Sequence, residues 1–273
     1  TARELDHQLN DSGAEVLVVV ENFAATYQEI AAKTKVRKVI VTSIGELLGF
    51  KGLLVDLVLR KVKKMIPAWS LPQSLRLSDA LADGRKLKLA TVPLGHEDIA
   101  FLQYTGGTTG VSKGAILLHR NIVANLLQAR AWILPFLGHD SVEVILTPLP
   151  LYHIFSLTAN CLTFMTLGAE NVLIPNPRDI PGFVKEMAKH KFTVMTGVNT
   201  LFNALVNNPE LAKLDFSHCR VTLGGGMAVQ EAVAVKWKKV TGCTLIEAYG
   251  LTETSPAATI NPVDIPEYNG SIG

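Results

Sequence analysis

The sequence has 273 residues, of which 48% are hydrophobic, 18% charged and 7% aromatic, a balance that excludes disorder, collagen-like repeats and coiled coil and supplies ample material for a core. Twenty-six Lys and Arg against 24 Asp and Glu leave a net charge of +2, too near neutrality for nucleic acid to be the main partner. The three cysteines, Cys161, Cys219 and Cys243, lie in apolar neighbourhoods at spacings that fit neither a disulfide framework nor a zinc site, which points to a reducing compartment.

The opening residues Thr1-Ala2-Arg3-Glu4-Leu5-Asp6-His7 have neither the basic start nor the apolar stretch of a signal peptide. The chain opens without methionine and closes on the turn-like Gly270-Ser271-Ile272-Gly273, so both ends read as cut and a piece of a longer protein is expected. Residues 15–20 and 36–42 read as buried strands around a helix near 23–33. Residues 44–96 interrupt that rhythm, and a helix is expected over 52–66, stopped by Pro67. At about 100° per residue, Val55, Val58, Leu59, Val62, Met65 and Ile66 share one arc. Arg60, Lys61, Lys63 and Lys64 lie away from it, while Leu53 and Leu57 spoil the polar face. Such a segment is either a basic helix on an anionic membrane surface or a surface helix packed on the core.

Further along, strands are expected at 142–147, 171–174, 192–195, 220–223 and 244–246, with helices near 121–134, 181–190, 200–207 and 229–240. This alternation is that of parallel strands joined by crossover helices. The fold class is therefore α/β, with largely parallel sheets flanked by helices. A division into 1–95, carrying the basic amphipathic insertion at about 44–95, and 96–273 is expected. Residues 144–169 hold no Asp, Glu, Lys or Arg. Pro148, Pro150 and His153 break that run and five Ser, Thr and Asn residues dilute it, so a buried strand, a loop and a core helix fit better than a membrane span.

Between these regions the apolar run Ile99-Ala100-Phe101-Leu102 leads into Tyr104-Thr105-Gly106-Gly107-Thr108-Thr109-Gly110-Val111-Ser112-Lys113-Gly114. Glycines let a backbone approach a phosphate closely and leave amides free to donate, threonines add hydroxyl donors, and Lys113 supplies a cation. A polyanion suits that combination. It is not a Walker A loop, because Ser112 precedes the lysine and Gly114 follows it. A glycine-rich hairpin turn with threonines as strand formers is the other reading of such a cluster.

The order of residues narrows the choice. Thr105 to Gly114, continued by Ala115-Ile116-Leu117-Leu118-His119-Arg120-Asn121, resembles the phosphate loop of adenylate-forming enzymes, the group of acyl-CoA synthetases, luciferases and peptide-synthetase adenylation domains. Leu149-Pro150-Leu151-Tyr152-His153-Ile154-Phe155, Gly224-Gly225-Gly226-Met227 and Tyr249-Gly250-Leu251-Thr252-Glu253-Thr254 resemble three further motifs of the same group, in its order. Asn10-Asp11-Ser12-Gly13-Ala14, Asn176-Pro177-Arg178-Asp179-Ile180-Pro181-Gly182 and Thr196-Gly197-Val198-Asn199-Thr200 are similar to the bacterial long-chain fatty acid–CoA ligases in particular.

That resemblance implies a two-step reaction: a fatty carboxylate attacks the α-phosphate of ATP and releases pyrophosphate, then the thiol of coenzyme A displaces AMP. It implies that Thr105, Gly106, Gly107, Thr108, Thr109, Gly110 and Lys113, with Tyr104 at the loop's entry, hold the phosphates. Glu253 would hold Mg²⁺ and Thr252 would donate to the α-phosphate. Tyr249 and Gly250 would face adenine, and Gly224, Gly225 and Gly226 would give base and acyl chain close backbone access. His153 would lie near the reacting carboxylate, and Val198 and Gly225 would line the acyl tunnel. Lys113, His153, Thr252 and Glu253 are thus the candidate catalytic residues. For Tyr249 the alternative is core packing, for His153 a structural role. Glu247 and Asp179 are required by none of this. His7, His96, His119, His139, His190 and His218 read as surface or structural residues.

The resemblance also implies ribose contacts, a hinge and a mobile C-terminal domain beyond Gly273, so the chain is expected to be inactive, or nearly so, alone. A cytoplasmic protein is expected, with residues 52–66 as its candidate contact with the inner face of the membrane; a homodimer of the parent is a further candidate state. Two other functions stay open: a non-catalytic nucleotide or acyl binding module, and another adenylate-forming ligase with a different carboxylate. An ATP-dependent phosphotransferase would differ in releasing ADP.

Overall fold

A computed structural model describes residues 1–106, 110–138 and 142–273. Two compact units divide the chain, one of Thr1–Leu94 with Tyr104–Gly114, the other of Gly95–Gln103 with Ala115–Gly273.

The first unit opens on helix α1 (Ala2–Ser12), which the sequence reading left unassigned. Its start is a capping box: the Thr1 hydroxyl accepts the Glu4 amide while the Glu4 carboxylate reaches back, and Gly13 at φ 65° closes the last turn. Leu5 and Leu9 then pack with Tyr27 and Ile30. Strand β1 (Val16–Val20), helix α2 (Ala24–Gln28) and strand β2 (Lys38–Thr42) follow. β1 and β2 pair in parallel, and β3 (Leu75–Arg76) extends the sheet on the β2 side before helix α4 (Leu77–Gly84). The expectation that 15–20 is a buried strand is corrected: Val16 and Val18 are 55% and 57% exposed, because the core cluster forms on only one face of β1.

Helix α3 (Gly49–Leu57) continues as a wide π-type turn over Val58–Val62 and stops short of Pro67. Its buried residues are Gly52 and Asp56, not the apolar arc. Gly45 and Gly52 lie so close that a Cβ on either would strike the backbone of the other. Asp56 accepts from the Gly45 amide at 2.8 Å and the Ser43 hydroxyl at 2.5 Å, and Arg60 pairs with the buried Glu21 at 2.7 Å. The buried carboxylate must keep these partners, and this outweighs the apolar pattern. Phe50, Leu53, Leu54, Leu57 and Val62 consequently face outward.

Strands β4 (Ile99–Thr105) and β5 (Lys113–Leu118) form a two-stranded ribbon. The second unit continues with α5 (His119–Ile133), β6 (Val144–Thr147), a helix from Ile154 that ends in α6 (Thr163–Met165), β7 (Glu170–Leu173), α7 (Ile180–Met187), β8 (Val194–Gly197), α8 (Asn199–Val206), β9 (Val221–Gly224), α9 (Glu231–Thr241), β10 (Leu245–Gly250) and β11 (Ala257–Ile260). The sheet order is β11-β10-β9-β8-β6-β7, parallel except for β11. Successive residues face opposite sides of a sheet. Leu146, Met195 and Leu245 therefore join Phe183, Phe202 and Trp237 on one side, while Ile145, Val194 and Ile246 join Phe164 on the other. Helices cover both faces, as a parallel sheet requires, and the α/β class follows.

Edge strand β11 has no counterpart in the sequence reading; the Asn125 side chain holds it from α5, donating to the Ala257 carbonyl at 2.8 Å and accepting its amide at 3.2 Å. The charge-free run 144–169 is the expected strand, loop and core helix. Ser156, Thr158, Asn160 and Thr163 are buried there. Thr196 donates to Asn160, Asn160 to Thr147 and Thr147 to Asn171, at 2.8–3.1 Å, so these side chains satisfy one another across three strands. No helix among the described residues is long and apolar enough to cross a membrane.

Candidate active site

In the first unit the phosphate-loop candidates run from the end of β4 to the start of β5. Gly107, Thr108 and Thr109 lie outside the described residues; Thr105, Gly106, Gly110 and Lys113 lie within them, Gly110 at φ 108° and Lys113 exposed. Both flanks of the loop are tied to α1. The Tyr104 hydroxyl donates to Asp11 Oδ2 at 2.6 Å, and His7 Nε2 donates to the Ser112 carbonyl at 2.8 Å. His7 and Asp11 are four residues apart and so share one face of the helix. Burial, then the Asp11 carboxylate, push the Tyr104 phenol up to about 12, which keeps it a donor. Its ring lies against Gly114, where a Cβ would come within 3.0 Å. Tyr104 is thus committed to the protein through its hydroxyl. The sequence reading set His7 aside and gave Asp11 no role; only the unassigned helix α1 would have revealed them.

In the second unit, the carboxyl ends of three neighbouring parallel strands come together. β8 ends at Gly197 before Val198, β9 at Gly224 before Gly225 and Gly226, and β10 at Tyr249 and Gly250. Gly197 and Gly224 are register partners, as are Gly224 and Glu247, and the Gly225 amide donates to Gly197 at 3.1 Å. A Cβ at Gly224 would meet Val229 at 2.6 Å, and one at Gly225 the Phe155 ring at 3.1 Å. Gly226, at φ 75°, turns the chain away, with Val198 nearby. These positions need glycine because side chains already fill the space beside the backbone.

His153 lies in the turn before the helix that carries Phe155. Gln103 on β4 donates to the Tyr152 carbonyl at 2.7 Å, and the Phe155 amide donates to His153 Nδ1 at 3.2 Å. In the neutral ring the proton therefore resides on Nε2, which leaves a donor directed away from the helix. Phe155 connects this turn to Gly225, so the His153 and Gly224–Gly226 segments are neighbours.

Glu247 is 4% exposed, and its Oε1 accepts the Val229 amide at 2.8 Å. Asn199 Oδ1 accepts the Gln230 amide at 2.9 Å. Together they brace the turn that follows the three glycines. An acid inside the apolar strand Leu245-Ile246-Glu247-Ala248 was the available signal for Glu247. After β10, a Cβ on Gly250 would overlap the Pro256 carbonyl, and the Leu251 amide donates to Thr254 Oγ1 at 2.9 Å. The resulting turn of 3₁₀ type, Thr252–Thr254, holds an exposed Glu253 and a partly covered Thr252. Tyr249 is 45% exposed and not packed in the core.

Among the described residues no three His, Cys, Asp or Glu side chains gather to hold a metal ion. A single carboxylate such as Glu253 suits Mg²⁺, which takes one or two protein oxygens and completes its shell with phosphate and water.

A parallel sheet covered on both faces, with glycine-rich turns at its carboxyl strand ends, defines the class: an α/β domain of the kind that receives ligands at those ends. The sequence profile described as AMP-binding enzyme matches residues 1–273, and the chain belongs to that family. It is 54% identical over its whole length to the long-chain-fatty-acid–CoA ligase of Escherichia coli O157:H7 and 49% identical to that of Haemophilus influenzae, covering 49% of each. The chain thus spans about half the length of the curated relatives it matches. A long-chain-fatty-acid–CoA ligase structure from Archaeoglobus fulgidus superposes with a TM-score of 0.70 at 27% identity, over 96% of this chain and 48% of that one. ATP-bound MatB of Rhodopseudomonas palustris gives 0.75 at 26%, over 97% and 45%.

Proposed function

We propose that the protein to which this chain belongs activates long-chain fatty acids with ATP and passes them to coenzyme A, releasing pyrophosphate and AMP. The observation that carries the reading is the convergence of Val198, Gly224–Gly226 and the His153–Phe155 turn at adjoining strand ends, in a chain 54% identical to a ligase of that name. A carboxylate is a poor electrophile and both reactants are anions, so positioning and charge stabilisation are the main contributions asked of the protein. Lys113 and the amides and hydroxyls around it would take the phosphates. His153 Nε2–H would donate to the acyl carboxylate, Thr252 to the α-phosphate, and Tyr249 would stack on the base. Glu253 would hold Mg²⁺, which when bound supplies a Lewis acid shared with the phosphate oxygens.

We further propose a cytoplasmic location with contact at the inner membrane face through α3 and the turn after it. Exposed Phe50, Leu53, Leu54, Leu57 and Val62 stand among exposed Lys51, Lys61, Lys63 and Lys64. Apolar side chains with a basic rim suit an anionic lipid surface, which supplies both hydrocarbon and counter-charge.

Incubating the full-length protein with a long-chain acid, ATP, Mg²⁺ and coenzyme A tests the activity. AMP, pyrophosphate and acyl-CoA are the expected products. ADP would instead indicate a phosphotransferase, and binding of ATP or of an acyl-adenylate analogue without turnover would indicate a non-catalytic module.

A further inference from the structure

Two of the three free cysteines meet where a pair of strands begins. Cys219 lies two residues before β9 and Cys243 two residues before β10, and these strands pair in parallel with Leu245 opposite Thr222. Their approach segments therefore run side by side. Neighbouring strands lie about 4.8 Å apart, inside the Cα separation of roughly 4.4–6.8 Å that a disulfide spans. Cys243 Sγ is 3.6 Å from the Cys219 carbonyl oxygen and 3.7 Å from that of Thr241. Both residues are half-buried. Cys161 is elsewhere, with its sulfur 3.6 Å from that of Met165.

The two sulfurs are not equivalent. The neighbouring Cys219 side chain, with help from Thr241 and the Lys238 ammonium, holds the Cys243 thiol below the ordinary range, and the proximity of Cys243 together with burial pushes the Cys219 thiol up. Lys238 is held nearby by its bond to the Thr244 hydroxyl at 3.0 Å. Thiolate character marks the sulfur that an oxidant attacks first.

We propose that Cys219 and Cys243 form a modification site for hydrogen peroxide, closing to a reversible disulfide between the starts of β9 and β10. The Cys243 thiolate attacks a peroxide oxygen; the O–O bond breaks, a Cys243 sulfenic acid forms and the released hydroxide takes a proton. The Cys219 sulfur then attacks Cys243 sulfur, the S–O bond breaks, and the departing hydroxyl leaves as water with the Cys219 proton. Two thiols are oxidised and one peroxide is reduced to two waters. The bond would tie together the two strands whose far ends carry Gly224 and Tyr249, independently of which ligand those ends receive.

Hydrogen peroxide added to the folded full-length protein, followed by thiol blocking and non-reducing peptide mapping by mass spectrometry, tests this. The expected result is the joint loss of both free thiols, a Cys219–Cys243 linked peptide, and its disappearance on adding dithiothreitol. A Cys161→Ser variant should behave in the same way, and Cys219→Ser should accumulate a Cys243 sulfenic acid that a 1,3-dione probe captures. No linked peptide, oxidation of Cys161 ahead of Cys243, or sulfinic acid at Cys243 beside a free Cys219 would each overturn the proposal.

Discussion

The Tyr104 hydroxyl donates to the Asp11 carboxylate at 2.6 Å, joining the last turn of α1 to the strand that enters the glycine loop. With His7 holding Ser112, one helix face restrains both flanks of the glycine-rich segment. Tyr104→Phe and His7→Ala should raise the KM for ATP several-fold while changing kcat less. Loss of the tyrosine's bond should lower stability by about 1 kcal/mol, read from denaturant melts. The phenol is pushed from its ordinary 10.0 to about 12 in the fold, so its protonated form is the one the fold favours. Its contribution is fully present below pH 10 and is lost as pH rises toward 12. Wild type and Tyr104→Phe should therefore converge in stability over that window, and parallel curves would assign the hydroxyl no share.

Gly225 and Gly250 separate activity from folding. Gly225→Ala sets a methyl 3.1 Å from the Phe155 ring, a contact the ring relieves by shifting a few tenths of an ångström. The expected outcome is a higher KM for the fatty acid with little change in Tm. At Gly250 the obstacle is the Pro256 backbone carbonyl, which has no rotamer to change. Gly250→Ala should cost about 1–3 kcal/mol, visible as a lower Tm or as poor soluble yield.

Glu247 is a positioning residue, buried and bonded to the Val229 amide. Glu247→Ala leaves that amide without a partner and should cost about 1–3 kcal/mol. Glu247→Gln keeps an acceptor oxygen and should recover most of both stability and acyl-acid KM. If Gln and Ala were equally damaging, the charge and not the hydrogen bond would be what the turn needs.

Lys113→Ala and Glu253→Ala should each reduce pyrophosphate release by at least about tenfold, the effect of withdrawing about 1.4 kcal/mol of transition-state stabilisation. Affinity for the fatty acid, measured by calorimetry without ATP, should stay within twofold of wild type by about the same scale. Normal rates in both variants would remove these residues from the phosphate chemistry.

For the lipid contact, full-length protein should float with vesicles that contain phosphatidylglycerol. Flotation should fall in Lys61→Ala/Lys63→Ala/Lys64→Ala, in Phe50→Ser/Leu57→Ser, and on raising salt, which screens basic clusters. Unchanged flotation of both variants would leave α3 as a solvated surface.

Element order in the second unit was legible because strand and helix periods alternate cleanly there, and each predicted strand lies within a few residues of its observed position. The glycine run at 224–226 and Gly250 were legible for a related reason: short-range order in the sequence records close backbone approach. Other features depend on partners distant in sequence. Helix α1 has a mean polarity that hides Leu5 and Leu9, and β11 is held by Asn125, 132 residues away. The arc on α3 does not coincide with the buried face because hydrophobic periodicity carries no information about Gly45 or about the groups that Asp56 must satisfy. Glu247 has no chemical task in the family's motifs, and its signal is instead that an acid in a buried strand needs a partner.

The approach of Gly45 to Gly52 has a consequence at the opposite surface. Two positions without side chains act as a seat that fits α3 in one rotation only, so the outward leucines owe their exposure to residues that no lipid would touch. A methyl group on either glycine would unseat the helix and let it roll its apolar side inward. The proposed affinity of this face for a bilayer would then be lost with every leucine and lysine still in place, so that contact, if flotation bears it out, depends on the hidden side of the helix as much as on the visible one.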